Sequence, residues 1–431
     1  MKFALIGQDI PALLPTLLAD LLFAGKQAAD VWVEEKNYAM QDVLARYGKA
    51  IVEKSGLDAS VTAESDRAAV LKGADCVIYA GDCMAASRFR QDREALSGTE
   101  EDDPGLTDQA RVNGGIEGLL HTLRQGGVVM DLCESMQEHC PGALVINLGQ
   151  PVARTTAVFE AQGFRCFGLG RTPLRGANGL DSLCKKLHVQ EKDVQACIAG
   201  LPGFAFLLEL KKDGNDLLPK LTNLAKKDEL GRLARRWLDW YEALAIGDVT
   251  DHAEFLPAQE DFIPEEEPSF GESVEQRKER ILNMNTVGDK GASEREGMMA
   301  QLMLLSKAPP IRPMQLALAL LRGDSLTMDG VTRRNDGELP QLAKHAIIEA
   351  RLTLQKGGVC PHGTRLPAPL AEICGEIDET NRLAARAAMG DRSALRECIE
   401  IDPALAGLDR LYCQELVDKM IDMHDDVITR L

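Results

Sequence analysis

A short apolar run that ends at a glycine opens this chain, and no other feature constrains the fold as strongly. Phe3 to Ile6 has the residues of a buried strand, Gly7 ends it, and Pro11 to Phe23 has the pattern of a helix. A strand, a tight turn and a helix form the first part of a βαβ unit, whose next strand lies parallel to the first. The N-terminal part of the chain is therefore expected to form a parallel sheet.

The turn after this strand carries only one of the glycines of a dinucleotide-binding fingerprint. In G-x-G-x-x-G the glycines let backbone amides approach a pyrophosphate, whereas residues 7–12 here read GQDIPA. Gly7 remains a candidate cofactor-binding residue. Asp9 stands where the phosphates would lie, and repulsion of about 1–3 kcal/mol would weaken binding by roughly one to two decades. We therefore expect NAD binding to be weak or lost, unless the loop turns Asp9 away.

Strand-like and helical runs alternate over the first third of the chain. The strand-like runs lie at 3–6, 30–33, 76–80 and 144–147. Helical patterns separate them, and two helices are expected between residues 114 and 140. This alternation predicts an α/β fold, with a Rossmann-like, doubly wound parallel sheet over residues 1–165. The alternation is lost after Arg165, so an α+β domain that binds substrate is expected over residues 166–431.

The second strand ends in two acidic residues, Glu34 and Glu35. An acidic side chain at the end of the second strand of such a sheet commonly accepts hydrogen bonds from an adenosine ribose. Glu34 is therefore a second candidate cofactor-binding residue. The alternative is an ordinary solvated strand end, and the sequence does not decide between the two.

The charge of the chain limits the partners that it can have. Its 431 residues carry a formal net charge of −18 and only 4% are aromatic, so neither the basic face nor the stacking platforms that a nucleic acid needs are expected. There is no apolar stretch of about 18 residues, and the start does not resemble a signal peptide. Eleven cysteines without metal-like spacing are expected to be reduced thiols. These features predict a cytoplasmic protein that binds neither nucleic acid nor membrane.

Five segments carry a resemblance that extends over the whole chain, at residues 105–116, 143–152, 199–209, 247–255 and 388–403. The first contains GLTDQ and NGGI, the second ALVIN followed by QPV, the third AGL, and the fourth GD followed by HAEF. In order and spacing they resemble glycoside hydrolase family 4, the NAD- and metal-dependent glycosidases with a lactate/malate-dehydrogenase-like fold. The resemblance implies that fold, a small-molecule sugar or glycoside as the ligand, and a homodimer or homotetramer.

The chemistry of this family is an exception to the usual glycosidase scheme with two carboxylates. NAD takes a hydride from C3 of the sugar, and the ketone acidifies the proton on C2. A base, often a tyrosine, removes that proton while a divalent metal such as manganese stabilises the enediolate. The group on C1 leaves, water adds and the hydride returns. The cofactor thus supplies the redox step, and the protein supplies position, a base and a Lewis acid.

Both metal ligands of the family are missing from the matching positions. The resemblance places a cysteine in G-L-C-N-x-P, which reads GLGRTP at 168–173, and a histidine in A-G-L-N-H, which reads AGLPG at 199–203. The ligand positions are therefore Gly170 and Gly203, and glycine has no side chain to coordinate a metal. We expect no standard metal site. Arg171 follows the missing cysteine, and its guanidinium could occupy the former metal volume and hold an anionic or polyhydroxylated ligand, so it is a candidate substrate-binding residue.

The resemblance also assigns a candidate base and a substrate-binding amide. Tyr241 lies at about the spacing of the family's base tyrosine. Packing beside Trp237 and Trp240 is the alternative, because no metal would lower the pKa of the phenol. Gln150 replaces a substrate-binding asparagine and keeps an amide donor and acceptor on a longer arm. Tyr241 is therefore the candidate catalytic residue, and Gln150 a candidate substrate-binding residue.

Two pairs of polar residues complete the candidate substrate site. His252 and Glu254 lie two residues apart, so on an extended segment they would point the same way, toward a hydroxylated ligand. Ordinary structural polarity is the alternative. Arg88 and Arg90 follow the third predicted strand, where the family carries arginines near the sugar or its phosphate, although solvated loop arginines fit equally well. His121, in a helical stretch, is expected at the surface or boundary of the protein.

Two hypotheses about function follow. The first is a divergent family 4 relative that hydrolyses a glycosidic bond by transient NAD-dependent oxidation and elimination, with degraded metal and NAD sites. The second is a catalytically silent homologue that binds a sugar or has a regulatory role. An NAD-dependent hydroxy-acid dehydrogenase fits the fold but not the five segments, and is less favoured. The sequence leaves open whether the protein is an enzyme and which sugar it binds.

Overall fold

One sheet of thirteen described strands runs through the molecule. The computed structural model describes residues 1–25, 28–81, 85–97, 112–170, 178–247, 249–257, 312–356, 358–360 and 363–431. The strands are β1 (Lys2–Ile6), β2 (Ala29–Glu34), β3 (Ala59–Glu64), β4 (Cys76–Tyr79), β5 (Leu144–Asn147), β6 (Cys166–Gly168), β7 (Gln195–Leu201), β8 (Phe204–Lys212), β9 (Asn215–Asp216), β10 (Leu244–Ala245), β11 (Leu326–Arg334), β12 (Ile347–Gln355) and β13 (Gly358–Val359). Their order is β10-β8-β7-β12-β11-β6-β5-β4-β1-β2-β3, with β9 and β13 paired to β8 and β12.

Fourteen α-helices surround the sheet in the described part of the chain. They are α1 (Ile10–Phe23), α2 (Tyr38–Ser55), α3 (Arg67–Leu71), α4 (Ala85–Ser97), α5 (Gly115–His139), α6 (Val152–Ala161), α7 (Leu180–Lys186), α8 (Leu218–Lys226), α9 (Arg232–Tyr241), α10 (Val249–Ala253), α11 (Pro313–Arg322), α12 (Ala368–Ala388), α13 (Arg392–Ile401) and α14 (Arg410–Met423). Among these helices, none is both long and apolar enough to cross a membrane.

The N-terminal half of the sheet is parallel, and its strands follow the order of a dinucleotide-binding fold. β1 pairs with both β2 and β4, and parallel pairing continues to β3 on one side and to β5 and β6 on the other. Read from β3, the order is 3-2-1-4-5-6. Apolar residues of α1, α2 and α11 cover one face of these strands, and those of α3, α5 and α6 cover the other. The predicted doubly wound parallel sheet is confirmed.

Two elements of this half differ from the prediction. The sequence does not predict β3, because its residues ASVTAE include one large apolar side chain, Val61, and the strand lies partly exposed at the edge of the sheet. Residues 115–139 form one helix, α5, where the sequence predicts two. Gly126 does not break this helix. A Cβ added to it would lie 2.3 Å from the Cβ of Ala388, so the glycine lets α12 pack closely against α5.

The C-terminal half extends the same sheet with antiparallel strands. β6 pairs parallel with β5 and antiparallel with β11, and antiparallel pairing continues through β12, β7 and β8. α12 packs against α5 and α6 across the junction. This arrangement confirms the predicted α+β character of the second part of the chain. Because β6 belongs to both halves and starts at Cys166, the division into domains 1–165 and 166–431 remains a prediction.

A buried carboxyl group fixes the far end of α1. The Asp20 side chain is fully buried, and its Oδ2 accepts the backbone N–H groups of Met314 (2.6 Å) and Gln315 (3.1 Å) in the first turn of α11. Burial raises the pKa of Asp20 to about 7, even though these two hydrogen bonds act in the opposite direction. The position of α1 is therefore set by a contact near its C-terminal end, away from the Gly7 loop.

Candidate functional site

A cavity opens where the strand order reverses, at the carboxyl ends of β1, β2 and β4. Its volume is about 440 Å³, and Gly7, Glu34, Arg67 and Tyr79 are among the residues that line it. In open parallel sheets, ligands bind in the crevice at such a reversal. The two cofactor-binding residues predicted from the sequence, Gly7 and Glu34, thus lie together at one cavity.

An ion pair occupies the acidic end of β2 in this cavity. One oxygen of the Glu34 carboxylate accepts a hydrogen bond from Arg67 Nε at 2.9 Å, and the Glu34 side chain is only 7% exposed. Arg67 is the first residue of α3, which Asp66 caps through a hydrogen bond to the backbone. The Glu34 carboxylate is therefore held by a cation, and only its remaining hydrogen-bonding capacity is available to a ribose.

The backbone amides at the start of α1 are already used within the protein. The amide of Asp9 donates to the carbonyl of Ala80 (3.0 Å), and that of Ile10 donates to the carbonyl of Gly7 (3.2 Å). Pro11 has no amide hydrogen, and the two residues after it both donate to the carbonyl of Asp9 at 3.0 Å. A phosphate binds a helix N-terminus through free amides. A pyrophosphate therefore does not fit residues 9–13 in the way that the fingerprint requires.

Gly7 has a structural reason to be glycine. Its φ is +127°, a conformation that residues with side chains rarely adopt. A Cβ added to Gly7 would also lie 2.1 Å from the carbonyl oxygen of Ala80, which follows β4. The glycine thus allows two chain segments to approach each other at the reversal of the strand order, and it needs no bound phosphate to explain it.

A second group of polar residues lies at the carboxyl end of β5. The side-chain amide of Asn147 donates to the hydroxyl groups of Thr155 (2.8 Å) and Thr156 (2.9 Å), and its carbonyl accepts the N–H group of Gly149 (2.9 Å). These bonds fix the turn from β5 into α6, and with it the half-buried Gln150 just before that helix. Gln150 is therefore placed at the carboxyl edge of the parallel sheet.

The two positions that the resemblance matches to the family's metal ligands carry no side chain, and a side chain would meet a different obstacle at each. Gly203 has a φ of +79° in the turn with Pro202 that joins β7 to β8, where a side chain would be strained. A Cβ added to Gly170 would lie 3.1 Å from Val152 Cγ1. Across the described residues, no group of three or more His, Cys, Asp or Glu side chains could hold a metal ion. The residues at these positions do not fit the metal that the family uses.

Glu254 links the segment after β10 to the start of α5. Its Oε2 accepts the backbone N–H groups of Val112 (3.1 Å) and Asn113 (2.8 Å) and the side-chain amide of Asn113 (2.7 Å). The same amide nitrogen lies 3.8 Å from the Cβ position of Gly203. The structure therefore brings Glu254 and the Gly203 turn together, with the carboxylate near a helix N-terminus, where negative charge is favourable.

The side chain of His252 does not point toward the same region as that of Glu254. It lies in α10, so the expected extended segment, on which His252 and Glu254 would share a direction, is wrong. The His252 ring is 1% exposed and packs 4.9 Å from the ring of Phe204 and 5.1 Å from that of Phe206. Its Nε2 lies 3.4 Å from the carbonyl oxygen of Ile246. The imidazole is therefore part of a buried aromatic cluster.

Tyr241 ends α9 and stacks on Trp237. The two ring centroids are 5.2 Å apart with 24° between the planes, and the ring of Trp240 lies edge-on at 6.1 Å. Burial raises the pKa of the Tyr241 phenol, which is opposite to the change that a base near neutral pH needs. This placement favours the packing interpretation, and a catalytic role for Tyr241 remains a hypothesis.

The predicted arginines fall into three situations. Arg88 on α4 forms an ion pair with Asp426, and its Nη1 lies 3.2 Å from Nδ1 of His424, so it is directed toward the C-terminal segment. Arg90, on the same helix, is exposed. Arg171 lies outside the described residues. The substrate-binding roles of all three remain predictions.

The sequence does not predict a buried ionic network beside these arginines. Asp92 lies 2.9 Å from Arg124 Nη1 and 2.5 Å from His424 Nε2, and all three side chains are fully buried. His121, one turn before Arg124 on α5, is 1% exposed, so its predicted place at the surface or boundary is wrong. Burial and the charge on Arg124 lower the pKa of His121 to about 3. The i, i+3 spacing of His121 and Arg124 is the one local signal of a shared polar face.

The parallel half, with its strand order 3-2-1-4-5-6, and the antiparallel extension define a protein of the doubly wound α/β class. Within that class, the model of the Family 4 glycosyl hydrolase matches residues 17–174, and that of the Family 4 glycosyl hydrolase C-terminal domain matches residues 198–405. Together they span most of the chain, which therefore belongs to family 4 of the glycosyl hydrolases. The first match begins beyond the loop at residues 7–12.

Two proteins of Bacillus subtilis (strain 168) are similar in sequence. The "Probable 6-phospho-beta-glucosidase" is 22% identical over 417 residues, which is 89% of this chain and 86% of that protein. The "Alpha-galactosidase" is 33% identical over 116 residues, which is 27% of this chain and only 26% of that protein. The names of these two relatives differ in the sugar, the linkage and the phosphate, so they do not specify a ligand for this chain.

Two solved structures have the same fold over almost the whole chain. A 6-phospho-α-glucosidase from gut microorganisms, solved with NAD and Mn²⁺, has a TM-score of 0.77 at 15% identity, and 99% of this chain and 98% of that chain are covered. A 6-phospho-β-glucosidase from Thermotoga maritima, solved with NAD and glucose-6-phosphate, has a TM-score of 0.70 at 14% identity, with 99% of each chain covered. At these identities the likeness is evidence of the fold alone.

Proposed function

We propose that this protein is a divergent relative of the family 4 glycosidases, which still binds a sugar or glycoside but has degraded sites for NAD and for the metal. The observation that carries the proposal is the pair of glycines, Gly170 and Gly203, at the positions of the two metal ligands. A φ of +79° at Gly203 makes a coordinating side chain there costly as well as absent.

Polar residues in the strand-end region, which comprises the turn after β5 and the Gly203 turn after β7, support the sugar-binding part of the proposal. Gln150 offers an amide donor and acceptor at the carboxyl edge of the sheet, in the turn that Asn147 fixes. Asn113 and Glu254 form a second polar edge beside the Gly203 turn. Sugar hydroxyl groups both donate and accept hydrogen bonds, so amide side chains that are held in place by the fold suit them.

The N-terminal half of the sheet supports the part of the proposal that NAD binds weakly. When bound, NAD supplies a hydride acceptor for oxidation of the sugar. The cavity beside Glu34 has room for part of such a molecule, but the amides at residues 9–13 are used internally. The sequence also predicts the carboxylate of Asp9 near the phosphate position. Because a pyrophosphate does not fit this loop, we expect the affinity of the cavity for NAD to be low.

A catalytically silent, sugar-binding homologue is the second candidate function. Tyr241 is the observation that favours it, because the phenol is stacked on Trp237 and burial raises its pKa. A base that removes the C2 proton near neutral pH needs the opposite environment. Without the base and the metal, the chain would bind a sugar through Gln150 and its neighbours and leave the glycosidic bond intact.

The experiment that tests the proposal is calorimetric titration of the full-length protein with NAD and with Mn²⁺, separately and together. We expect weak or absent NAD binding, no saturable Mn²⁺ binding and very low release of nitrophenol from nitrophenyl glycosides. The contrary result is robust release that depends on both NAD and manganese and is abolished by Tyr241→Phe.

A second titration separates the two versions of the proposal. Methyl glucoside, glucose 6-phosphate and glucuronate represent neutral, phosphorylated and carboxylated sugars. Binding of one of them with slow, NAD-dependent cleavage of its nitrophenyl glycoside favours the divergent enzyme. Binding without any cleavage favours the silent homologue, and failure of all three sugars to bind contradicts the proposal.

A further inference from the structure

A row of four directly paired residues crosses the antiparallel part of the sheet. Gly168 on β6 lies opposite Thr332 on β11, Thr332 lies opposite Glu349 on β12, and Glu349 lies opposite Gly200 on β7. Side chains of directly opposite residues stand on the same face of a sheet. Thr332 and Glu349 are therefore neighbours on one face, with a glycine on each side of the pair.

Both polar side chains of this row are buried and lack partners. Thr332 is 0% and Glu349 is 2% exposed, and neither Thr332 Oγ1 nor Glu349 Oε2 has a hydrogen-bond partner among the described residues. Two arginines on the same strands are engaged elsewhere, Arg333 with Glu338 at 2.6 Å and Arg351 with Asp329 at 2.7 Å. A native structure rarely leaves such groups unsatisfied without a reason.

The surroundings of Glu349 favour its neutral form. Burial, and then the negative charge of Asp251 in α10, raise the pKa of Glu349 far above the usual range of a carboxyl group. A carboxylic acid that stays protonated carries an O–H group and can donate a hydrogen bond, which a carboxylate cannot. Glu349 thus combines a donor with an acceptor next to the hydroxyl of Thr332.

The row lies on the face of the sheet that is covered by the start of α6, next to Gln150. A Cβ added to Gly168 would lie 2.7 Å from Val152 Cγ2 and 2.9 Å from the Cβ of Thr332, and one added to Gly170 would lie 3.1 Å from Val152 Cγ1. Val152 is the first residue of α6, directly after the turn that carries Gln150. Gly170, Thr332 and Glu349 therefore share the face on which α6 begins, and Asp251 approaches Glu349 from α10.

We propose that Glu349 and Thr332 form the polar floor of the sugar site, with the carboxyl group of Glu349 donating a hydrogen bond to a sugar hydroxyl that Thr332 also contacts. This inference rests on the proposed function, since it assigns two further residues to the same site. A sugar hydroxyl both donates and accepts, so it satisfies Glu349 Oε2 and Thr332 Oγ1 together. The chemical class of the ligand is thus a polyhydroxylated molecule and not a metal ion.

The test compares sugar affinity with stability in three variants of the full-length protein. Affinity is measured by calorimetry for whichever of methyl glucoside, glucose 6-phosphate and glucuronate the wild type binds most tightly. Glu349→Leu removes the polar group and is expected to weaken binding about tenfold, while thermal stability holds or rises. Glu349→Gln keeps an N–H donor and is expected to restore affinity to within about threefold, and Thr332→Val to weaken it about threefold or more.

A buried carboxyl group that contacts the same strand, β12, from a helix provides the control. Asp378 on α12 accepts the backbone N–H of Ile347 on β12 at 3.0 Å, so Asp378→Asn is expected to change stability and leave sugar affinity unaltered. Wild-type affinity in Glu349→Leu would overturn the role of Glu349 and leave the proposed function intact. If the wild type binds none of the three sugars, the proposed function fails, and the assignment of Glu349 fails with it.

Discussion

On the proposal made above, the cavity beside Gly7 and the turn at Gly203 depart from the family pattern in different ways. At the cavity the walls remain, with Gly7 and Glu34 in place, but the backbone amides of residues 9–13 are used within the protein. At the strand ends the backbone remains, but Gly170 and Gly203 carry no side chains for a metal. The first region therefore retains the cavity but lacks free backbone amides for a phosphate. The second retains the backbone turn but lacks the side chains that would bind a metal.

This difference follows from what each feature contributes to the fold. Gly7 allows the close approach of β1 to the segment after β4, so replacing it would disturb the sheet itself. A metal ligand is a single side chain at a strand end, and a glycine in its place still permits the turn between β7 and β8. Packing therefore preserves the architecture, whereas ligand-binding side chains can change with little effect on it.

The largest effect is expected from Gly7→Ala, which tests whether the cavity wall is structural. The new Cβ would lie 2.1 Å from the Ala80 carbonyl oxygen on backbone with a φ of +127°. We expect the free energy of unfolding to fall by more than about 3 kcal/mol in chemical denaturation. Gly25→Ala is the matched control, because Gly25 has a φ of +101° with nothing within 4 Å, and a loss of about 1–2 kcal/mol is expected. Equal losses would show that close packing at Gly7 is unimportant.

Asp20 tests the view that α1 is held at its far end. Its folded pKa of about 7 lies above the unfolded value of about 4, so its contribution to stability is fully present below pH 4 and is lost as pH rises through 7. Asp20→Asn keeps an acceptor for the amides of α11 but does not titrate. Relative to wild type, we expect this variant to gain about 2–4 kcal/mol of unfolding free energy between pH 4 and pH 8.

Asp391 provides a control in which the pH dependence of stability is expected to have the opposite sign to that of Asp20. Hydrogen bonds from Ser393, Ala394 and Arg386 hold its pKa below the usual range, so its contribution is lost as pH falls rather than as it rises. Asp391→Asn should therefore lose stability relative to wild type as pH rises from acid to neutral values. A parallel pH dependence in the two variants would contradict the assignment for Asp20.

Local sequence signals predicted the parallel part of the fold well. β1, Gly7 and α1 follow one another directly, so this unit can be recognised within about twenty residues. β3 could not be recognised in this way, because an edge strand with the residues ASVTAE has little apolar surface. Its existence depends on pairing with β2, which the alternation of apolar residues does not reveal.

The site was less predictable because its contacts join distant parts of the chain. His252 could not be placed without knowing that residues 249–253 are helical and that Phe204 and Phe206 surround its ring. The burial of Arg124 depends on Asp92 and His424, and that of Glu349 on strands that enter the sheet far apart in sequence. Only the resemblance to a family identified Gln150, Gly170 and Gly203 as positions of interest.

A smaller effect is expected from Asp9→Gly, which tests the phosphate end of the cavity. Removing this carboxylate should raise NAD affinity by roughly ten- to a hundredfold in calorimetry, because about 1–3 kcal/mol of charge repulsion is relieved. Glu35→Gln is the matched control, since Glu35 lines the same cavity beyond the end of β2, and a much smaller gain is expected there. Unchanged affinity in Asp9→Gly would mean that the loop already turns this carboxylate away from the ligand.

The smallest effect on the fold is expected from Tyr241→Phe, and it separates an enzyme from a silent homologue. The substitution keeps the ring that stacks on Trp237 and removes only a half-buried hydroxyl, so the free energy of unfolding should change by less than about 0.5 kcal/mol. Sugar affinity should also stay at the wild-type value.

Any residual, NAD-dependent cleavage of a nitrophenyl glycoside is then the decisive measurement. If it persists in Tyr241→Phe, the phenol acts only in packing. If it disappears while stability and sugar binding are retained, Tyr241 is the base, and the raised pKa of the free protein must fall when ligand is bound.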